Sequence, residues 1–315
     1  MKKSVKRVLV SMTAVAAVIA VGLATTTIVN VVATDAEQER IEPYGQLVEV
    51  DGRHMNVAIS GKGDETIVLL PGFGTASPAL DFAPLVDDLS ADHRVVVVEP
   101  FGYGLSDGTD RERTTANIVS EVHEALDELD IDRYVLMGHS IAGVYGIELA
   151  RRYPDEVEAF VGIDSSVPGQ PRTDTAFPIG LLGAAKNLGL IRLVATSATG
   201  YEEDVYSEEV REQLVMLSNR NSLSATYLDE MSHIRTNFAD ALGTGFAPTL
   251  PLLLFVVEHN EEVPEWRELH EKQAAGVDDG TVIALDGSHY LHHTQSPRIA
   301  EEFRAWEAAR SAEVG

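Results

Sequence analysis

The chain has 315 residues, 44% of them hydrophobic, with no cysteine and a formal net charge of −26. That length and apolar content suffice for one large folded domain, or one domain carrying an insertion, and exclude a disordered or fibrous chain. The absence of cysteine excludes a disulfide framework, thiol chemistry and a lipoprotein anchor, while the acidity repels nucleic acid and anionic headgroups.

Lys2, Lys3, Lys6 and Arg7 precede 26 residues, Val8 to Ala33, without a charged side chain. Such a run is long enough to cross a bilayer as a helix. It exceeds the roughly 7–15 apolar residues of a cleaved signal peptide, so residues 1–33 are read as an uncleaved signal anchor, with cleavage near Ala33 and secretion as the alternative. The basic cluster before the span leaves everything after it outside the cytoplasm, which predicts a single-pass protein of the cell membrane. Setting these four basic residues aside leaves 20 basic against 50 acidic side chains in residues 34–315, a net of −30. Such a surface serves solubility, or adaptation to a high-salt habitat where screening relieves its self-repulsion.

Residues 34–45, TDAEQERIEPYG, are polar and read as a linker. From Gln46 short β-branched runs alternate with helical patterns: the strands QLVEV, MNVAIS and TIVLL, a helix near PALDFAPLVDDLS, the strand RVVVVE, a helix over TTANIVSEVHEALDEL, and the strand YVLMG. A helix follows from about Ile141 to Tyr153, then the strand VEAFVGID. Strands alternating with helices predict a parallel α/β sheet. The alternation stops between Val167 and Thr249, where apolar spacing in FPIGLLGAAKNLGLIRLV and a Ser207 cap on EEVREQLVMLS predict helices. It resumes with the strand PLLLFVV, a helix near EWRELHEKQA, the strand TVIAL and a closing helix PRIAEEFRAWEAAR. The expected organisation is a core of residues 46–166 and 248–312, with residues 167–247 a helical cap over the carboxyl edge of the sheet, where open α/β folds bind ligands.

Three segments carry chemistry. In VLMGHSIAG a strand runs into Gly138, His139, Ser140, Ile141 and Ala142 and then a helix. In that context a tight turn presents the serine oxygen at the top of the sheet, with Ala142 standing where the G-x-S-x-G pattern has its last glycine. LLPGFG ends the third strand, so the N–H of Phe73 can join the N–H of Ile141 in holding an oxyanion. His289 lies in DGSHYLHH, the first loop after the last strand, where it can serve as general base and then general acid. His292 and His293 fall at the start of the closing helix and read as surface groups or supports of the site.

With these residues in this order, the chain resembles the α/β-hydrolase superfamily in its serine hydrolase, esterase- or lipase-like branch. The resemblance runs through VEVDGRHMNVAISGKGDETIVLLPGFG, VVVVEPFGYGLSD, VLMGHSIAG, PLLLFVVEHNEEVP and LDGSHYLHH, over roughly residues 46–308. It implies a mostly parallel eight-stranded sheet flanked by helices, with the cap inserted after the sixth strand. The serine at 140 sets the chain apart from dehalogenase and epoxide hydrolase relatives, which carry aspartate there.

In most such hydrolases an aspartate follows the seventh strand, and Asn260 occupies that place. An asparagine lacks the charge that stabilises an imidazolium. Asp164, at the end of the sixth strand, is the leading candidate for the acid, as in some branches of the family. Glu258 and Glu261 are alternatives, and Asn260 itself or a dyad completes the range. Glu99 is expected to order the loop PFGYG and take no part in chemistry.

These readings predict a carboxylic ester hydrolase working through an acyl-enzyme at Ser140, on a small-molecule ester with an apolar part. An amidase or exopeptidase of the same fold is the nearest rival. A catalytically silent protein that binds a hydrophobic ligand or a partner is the rival from outside enzymology. No metal, nucleotide or other cofactor is expected, since the histidines lack ligand spacing and no glycine loop carries a phosphate-binding lysine.

Overall fold

A computed structural model describes residues 2–194 and 200–314. The N-terminal helix α1 (Lys2–Gln38) is longer than the apolar run alone predicts. The linker expected at 34–45 therefore starts late, because residues 34–38 continue the helix. The reason is docking: Leu23, Thr26, Thr27, Asn30, Ala33, Thr34 and Glu37 recur at helical spacing and are half-buried, whereas Val5 to Gly22 are exposed throughout.

Eight strands follow: β1 (Gln46–Val50), β2 (Arg53–Ser60), β3 (Thr66–Leu70), β4 (Arg94–Glu99), β5 (Tyr134–His139), β6 (Val157–Ile163), β7 (Leu252–Val257) and β8 (Gly280–Leu285). They form one sheet in the order β1-β2-β4-β3-β5-β6-β7-β8. The pairs β1/β2 and β2/β4 are antiparallel and all others parallel, as the expected mostly parallel sheet requires. The inner strands are covered on both faces, and for that reason VVVV in β4 and LLLFVV in β7 are continuous apolar runs without alternation.

One face carries α4 (Thr115–Asp127) and α5 (Ala142–Arg152), where Ile118, Val122 and Val144 pack on Val68, Val96 and Leu136. The pleat turns Leu69, Val97 and Met137 to the other face, against Leu85 and Phe303. That face carries the short α2 (Pro78–Asp81), α3 (Ala83–Leu89), the four-residue α11 (Leu291–Thr294) and α12 (Ser296–Val314), while α10 (Trp266–Ala274), the crossover from β7 to β8, returns on the side of α5. Where one helix was expected over residues 78–90 there are two. Pro84, near the start of α3, has no N–H to continue the ladder, and Phe82 breaks the turn between them.

Between β6 and β7 lie α6 (Ile179–Asn187), α7 (Leu190–Val194), α8 (Glu208–Asn221) and α9 (Ala225–Ala241). Ser207 accepts from the Val210 N–H at 3.3 Å, the expected cap of α8. The apolar pattern over residues 177–194 is split at Gly189, whose φ of +71° ends α6. Glu230 of α9 ties this region to the core: buried, it accepts from Tyr145 at 2.7 Å and Tyr103 at 2.9 Å.

Candidate active site

Strand register brings the site together. In the parallel pair β5/β6, Gly138 lies opposite Gly162 and His139 opposite Ile163, so Ser140 and Asp164 are the first residues past two adjoining strand ends. Both have positive φ, 52° for Ser140 and 44° for Asp164, so each strand turns sharply there. Such backbone persists only where its surroundings hold it. The Ser140 N–H donates to the Ile163 carbonyl, the Ser166 N–H to the Ser140 carbonyl at 2.7 Å, and the Asp164 N–H to the Phe255 carbonyl at 2.8 Å. Two strands over, β8 pairs with β7 up to Val257–Leu285, and the chain returns to the same edge with His289.

The three side chains form one hydrogen-bonded line. His289 Nε2 lies 3.0 Å from Ser140 Oγ, and His289 Nδ1 lies 2.6 Å from Asp164 Oδ2. Asp164 is fully buried, and its other oxygen accepts from the Val257 N–H at 3.0 Å and the Trp266 indole N–H at 2.6 Å. Three donors thus satisfy a carboxylate that would otherwise be costly to bury. The ring of His289 remains partly open to solvent.

Asn260 is elsewhere engaged. Its side-chain oxygen accepts from the Glu262 and Val263 N–H groups at 3.0 and 2.9 Å, so it folds the loop after β7. Glu258 and Glu261 are exposed and make no hydrogen bond to His289 among the described residues. Glu99 is buried and accepts from Ser77, Asn56, the Leu105 N–H and Tyr44, which orders the loop after β4 as expected.

Gly72 packs against the serine turn: a Cβ there would lie 2.6 Å from His139 Nδ1 and 3.1 Å from the Ser140 Cβ. The next residue, Phe73, packs against Tyr227 of α9 with ring centroids 4.7 Å apart and the rings tilted by 47°. The N–H groups of Phe73 and Ile141 donate to no acceptor among the described residues. On the other side of Ser140 opens a cleft of about 450 Å³, lined by Arg172, Asn260, Glu262, Trp266 and Gly287 together with Ser140, Asp164 and His289.

His292 and His293 are not surface groups. Both are buried against the buried Asp81, His292 Nε2 donating to Oδ2 at 2.7 Å and His293 Nε2 to Oδ1 at 2.9 Å. They lie in α11, ahead of the closing helix, because the chain must dive into the core to bring His289 to the edge. Tyr201 also donates to Asp81, at 2.9 Å. Burial pushes the Asp81 carboxyl up, but the two imidazoles outweigh it and hold the group ionised, below the usual carboxylate range. Asp81, His292 and His293 are metal-ligand types with ligand atoms within 4.8 Å of one another, as are Glu65, His93 and Glu307 at the opposite, amino end of the strands. In the first group each ligand atom is already taken up by a hydrogen bond to a neighbour.

Sequence reasoning missed two supports. Trp266, which holds Asp164, carries no signal beyond its place at the start of the helix after β7. His139 sits in the serine motif itself, buried, with its Nε2 3.1 Å from the His289 carbonyl and its ring 4.7 Å from that of His289. Burial and the neighbouring His292 and His289 push its pKa well below the ordinary imidazole value, so it is neutral and Nε2–H donates to that carbonyl.

Comparison with known proteins agrees with this architecture. The chain is similar to the uncharacterized protein YbdG of Bacillus subtilis (strain 168), 24% identical over 277 residues that cover 84% of this chain and 85% of that one. It is similar to a putative non-heme haloperoxidase of Mycobacterium phage D29, 27% identical over 77% of this chain and 87% of the relative. Among solved structures, Cfl2 of Burkholderia cenocepacia superposes with a TM-score of 0.67 at 20% identity, over 83% of this chain and 94% of that chain. A thermophilic esterase of Thermogutta terrifontis gives a TM-score of 0.64 at 18% identity, over 84% and 99%; at such identities the likeness concerns the fold. The model described as the alpha/beta hydrolase family matches residues 67–302, most of the strands and every residue of the hydrogen-bonded line, and the chain belongs to that family.

Proposed function

We propose that the protein is a serine hydrolase acting on carboxylic esters through an acyl-enzyme, with Ser140 as nucleophile, His289 as base and acid, and Asp164 as the third member. The observation that carries this reading is the unbroken line Ser140 Oγ, His289, Asp164, at 3.0 and 2.6 Å. Ser140 Oγ attacks the acyl carbon as His289 Nε2 takes its proton, and the carbonyl oxygen gains a negative charge between the N–H groups of Phe73 and Ile141. His289 returns the proton to the departing alcohol, and the ionised Asp164 stabilises the transient imidazolium. A water molecule, deprotonated by the same ring, then releases the acid and restores Ser140.

On this reading residues 46–166 and 248–312 are the catalytic core and residues 167–247 the cap. The helix α1 is long and apolar enough to cross a membrane. Its basic start supports a single-pass anchor with the catalytic domain outside the cytoplasm.

The test is a fluorophosphonate probe applied to the detergent-solubilised full chain. The parent is expected to be labelled, and Ser140→Ala and His289→Ala are not. A folded parent that stays unlabelled overturns the proposal. Matched ester and amide substrates then separate an esterase from an amidase.

A further inference from the structure

The exposed and docked parts of α1 divide at Gly22. From Val5 to Gly22 every residue is exposed. Past the basic Lys6 and Arg7 the uncharged free length, Val8 to Gly22, is about 22 Å as α-helix, short of the roughly 30 Å hydrocarbon core of a bilayer, so the core reaches onto the docked stretch of α1. Beyond it the contact stripe begins. Thr26 Oγ1 donates to the Leu188 carbonyl at 2.7 Å. Arg192 of α7 spans Asn30, Thr34 and Glu37, with both carboxylate oxygens of Glu37 engaged at 2.6 and 2.9 Å. Leu188, one residue past α6, thus stands about 6 Å beyond the end of the free length, little more than one helical turn.

Helix α6, IGLLGAAKN, is apolar over its first seven residues, yet none of its residues is buried. Its inner side meets α9, where Gly183 packs near Leu228. Its outer side presents Leu181, 70% exposed, with Ala184 one turn on, and Phe177, 39% exposed, stands two residues before the helix starts. Two large apolar side chains exposed four residues apart, at and just before the helix, mark a contact surface, and the neighbour fixed beside it is the outer end of α1.

We propose that α6 seats in the outer leaflet beside α1, and that the cleft takes esters partitioned in the bilayer rather than esters dissolved in water. This rests on the anchored-hydrolase reading above and names its substrate class. The geometry is compact: Arg172 lines the cleft and Phe177 follows five residues later, a reach of at most about 18 Å. Phe177 thus stands within that reach of the lining of the cleft that holds Ser140. The strongly acidic surface selects a zwitterionic leaflet as the partner, because anionic headgroups would be repelled.

The absence of cysteine makes the test direct. Leu181→Cys carries a single nitroxide in the full chain reconstituted in phosphatidylcholine vesicles, with Val15→Cys on α1 and Glu301→Cys on α12 as references. Leu181 is expected to show the high oxygen and low nickel-chelate accessibility of a lipid-exposed site, as Val15 does, and Glu301 the reverse. An aqueous signal at Leu181 beside a lipid signal at Val15 overturns the seating; an aqueous signal at both overturns it together with the anchor.

Activity gives the second readout. Phe177→Asp with Leu181→Asp is expected to slow hydrolysis of a long-chain ester held in the vesicles at least tenfold and to leave a short water-soluble ester within twofold. Equal rates for parent and variant on the vesicle ester, or an equal loss on both esters, overturn the substrate class. A parent that cleaves neither ester and takes no fluorophosphonate sinks the hydrolase reading, while the nitroxide depth still decides the seating.

Discussion

The candidate active-site edge of the sheet and the outer helices α6 and α7 are held by opposite means. At the edge, buried donors converge on few atoms: Asp164 receives three hydrogen bonds, and Ser140 sits on a left-handed turn packed against Gly72. Above it, α8 and α9 still bury Leu214, Leu217 and Phe238, but α6 buries none of its residues, and α6 and α7 are tied down by polar contacts to α1 through the Leu188 carbonyl and Arg192. The difference teaches where rigidity is placed. Reacting atoms need sub-ångström placement and are over-determined, whereas a covering element needs only to be attached.

The largest effect that would break this contrast lies at Asp164. Asp164→Asn is expected to lower kcat by about 10⁴-fold, because the amide leaves the imidazolium without its counter-charge. Asn260→Asp should leave turnover within roughly twofold, since its oxygen folds a loop and does not meet His289. Steady-state kinetics on the two variants decide between the positions, and near-parental turnover in Asp164→Asn would remove that residue from the mechanism.

Next comes acid sensitivity. His139 and His292 are buried, and desolvation lowers both pKa values below the ordinary imidazole value. Once unfolded, each ring takes up a proton near pH 6.5 that the folded state refuses. Their contribution is therefore intact above about pH 6.5 and declines below it, by up to about 1.4 kcal/mol per pH unit for each ring. Urea unfolding of parent and His139→Gln between pH 7 and 5 should show the shallower slope in the variant; parallel slopes would contradict the buried neutral ring.

Smaller still, Gly72→Ala places a methyl group 2.6 Å from His139 Nδ1 and should cost about 1–3 kcal/mol, with lost activity, in thermal unfolding and rate assays. Arg192→Ala should cost only about 1 kcal/mol, because it removes hydrogen bonds that are partly open to water. It should free α6 and α7 to limited proteolysis while the sheet resists. Equal susceptibility of both regions would erase the distinction drawn between them.

Most of the sheet was legible because its strands are covered on both faces and read as unbroken apolar runs. The serine turn was legible because a small-residue motif stood between a strand and a helix. Asp164 was legible only as a candidate, since an aspartate after a strand has many uses and the register that sets it beside Ser140 is a tertiary fact. The buried state of His292 and His293 was hidden, as nothing local shows that Asp81, more than two hundred residues away, supplies their acceptor. The docking of α1 was hidden likewise: nothing local in the apolar run or the linker shows that the Leu188 carbonyl meets Thr26 and that Arg192 meets Asn30 and Thr34.

On the membrane-anchored reading proposed above, the stripe from Leu23 to Glu37 also governs how the molecule searches. A domain on a loose tether swings through a volume that grows with tether length. Here the helix is clasped by the region it carries, only residues 39–45 separate it from the first strand, and Tyr44 among them is pinned by Ser77 and Glu99. For a chain planted by α1, swivel and tilt are removed as degrees of freedom. What is left is lateral diffusion with the cleft at constant height, so encounters reduce to two dimensions and the working radius to the size of the domain itself.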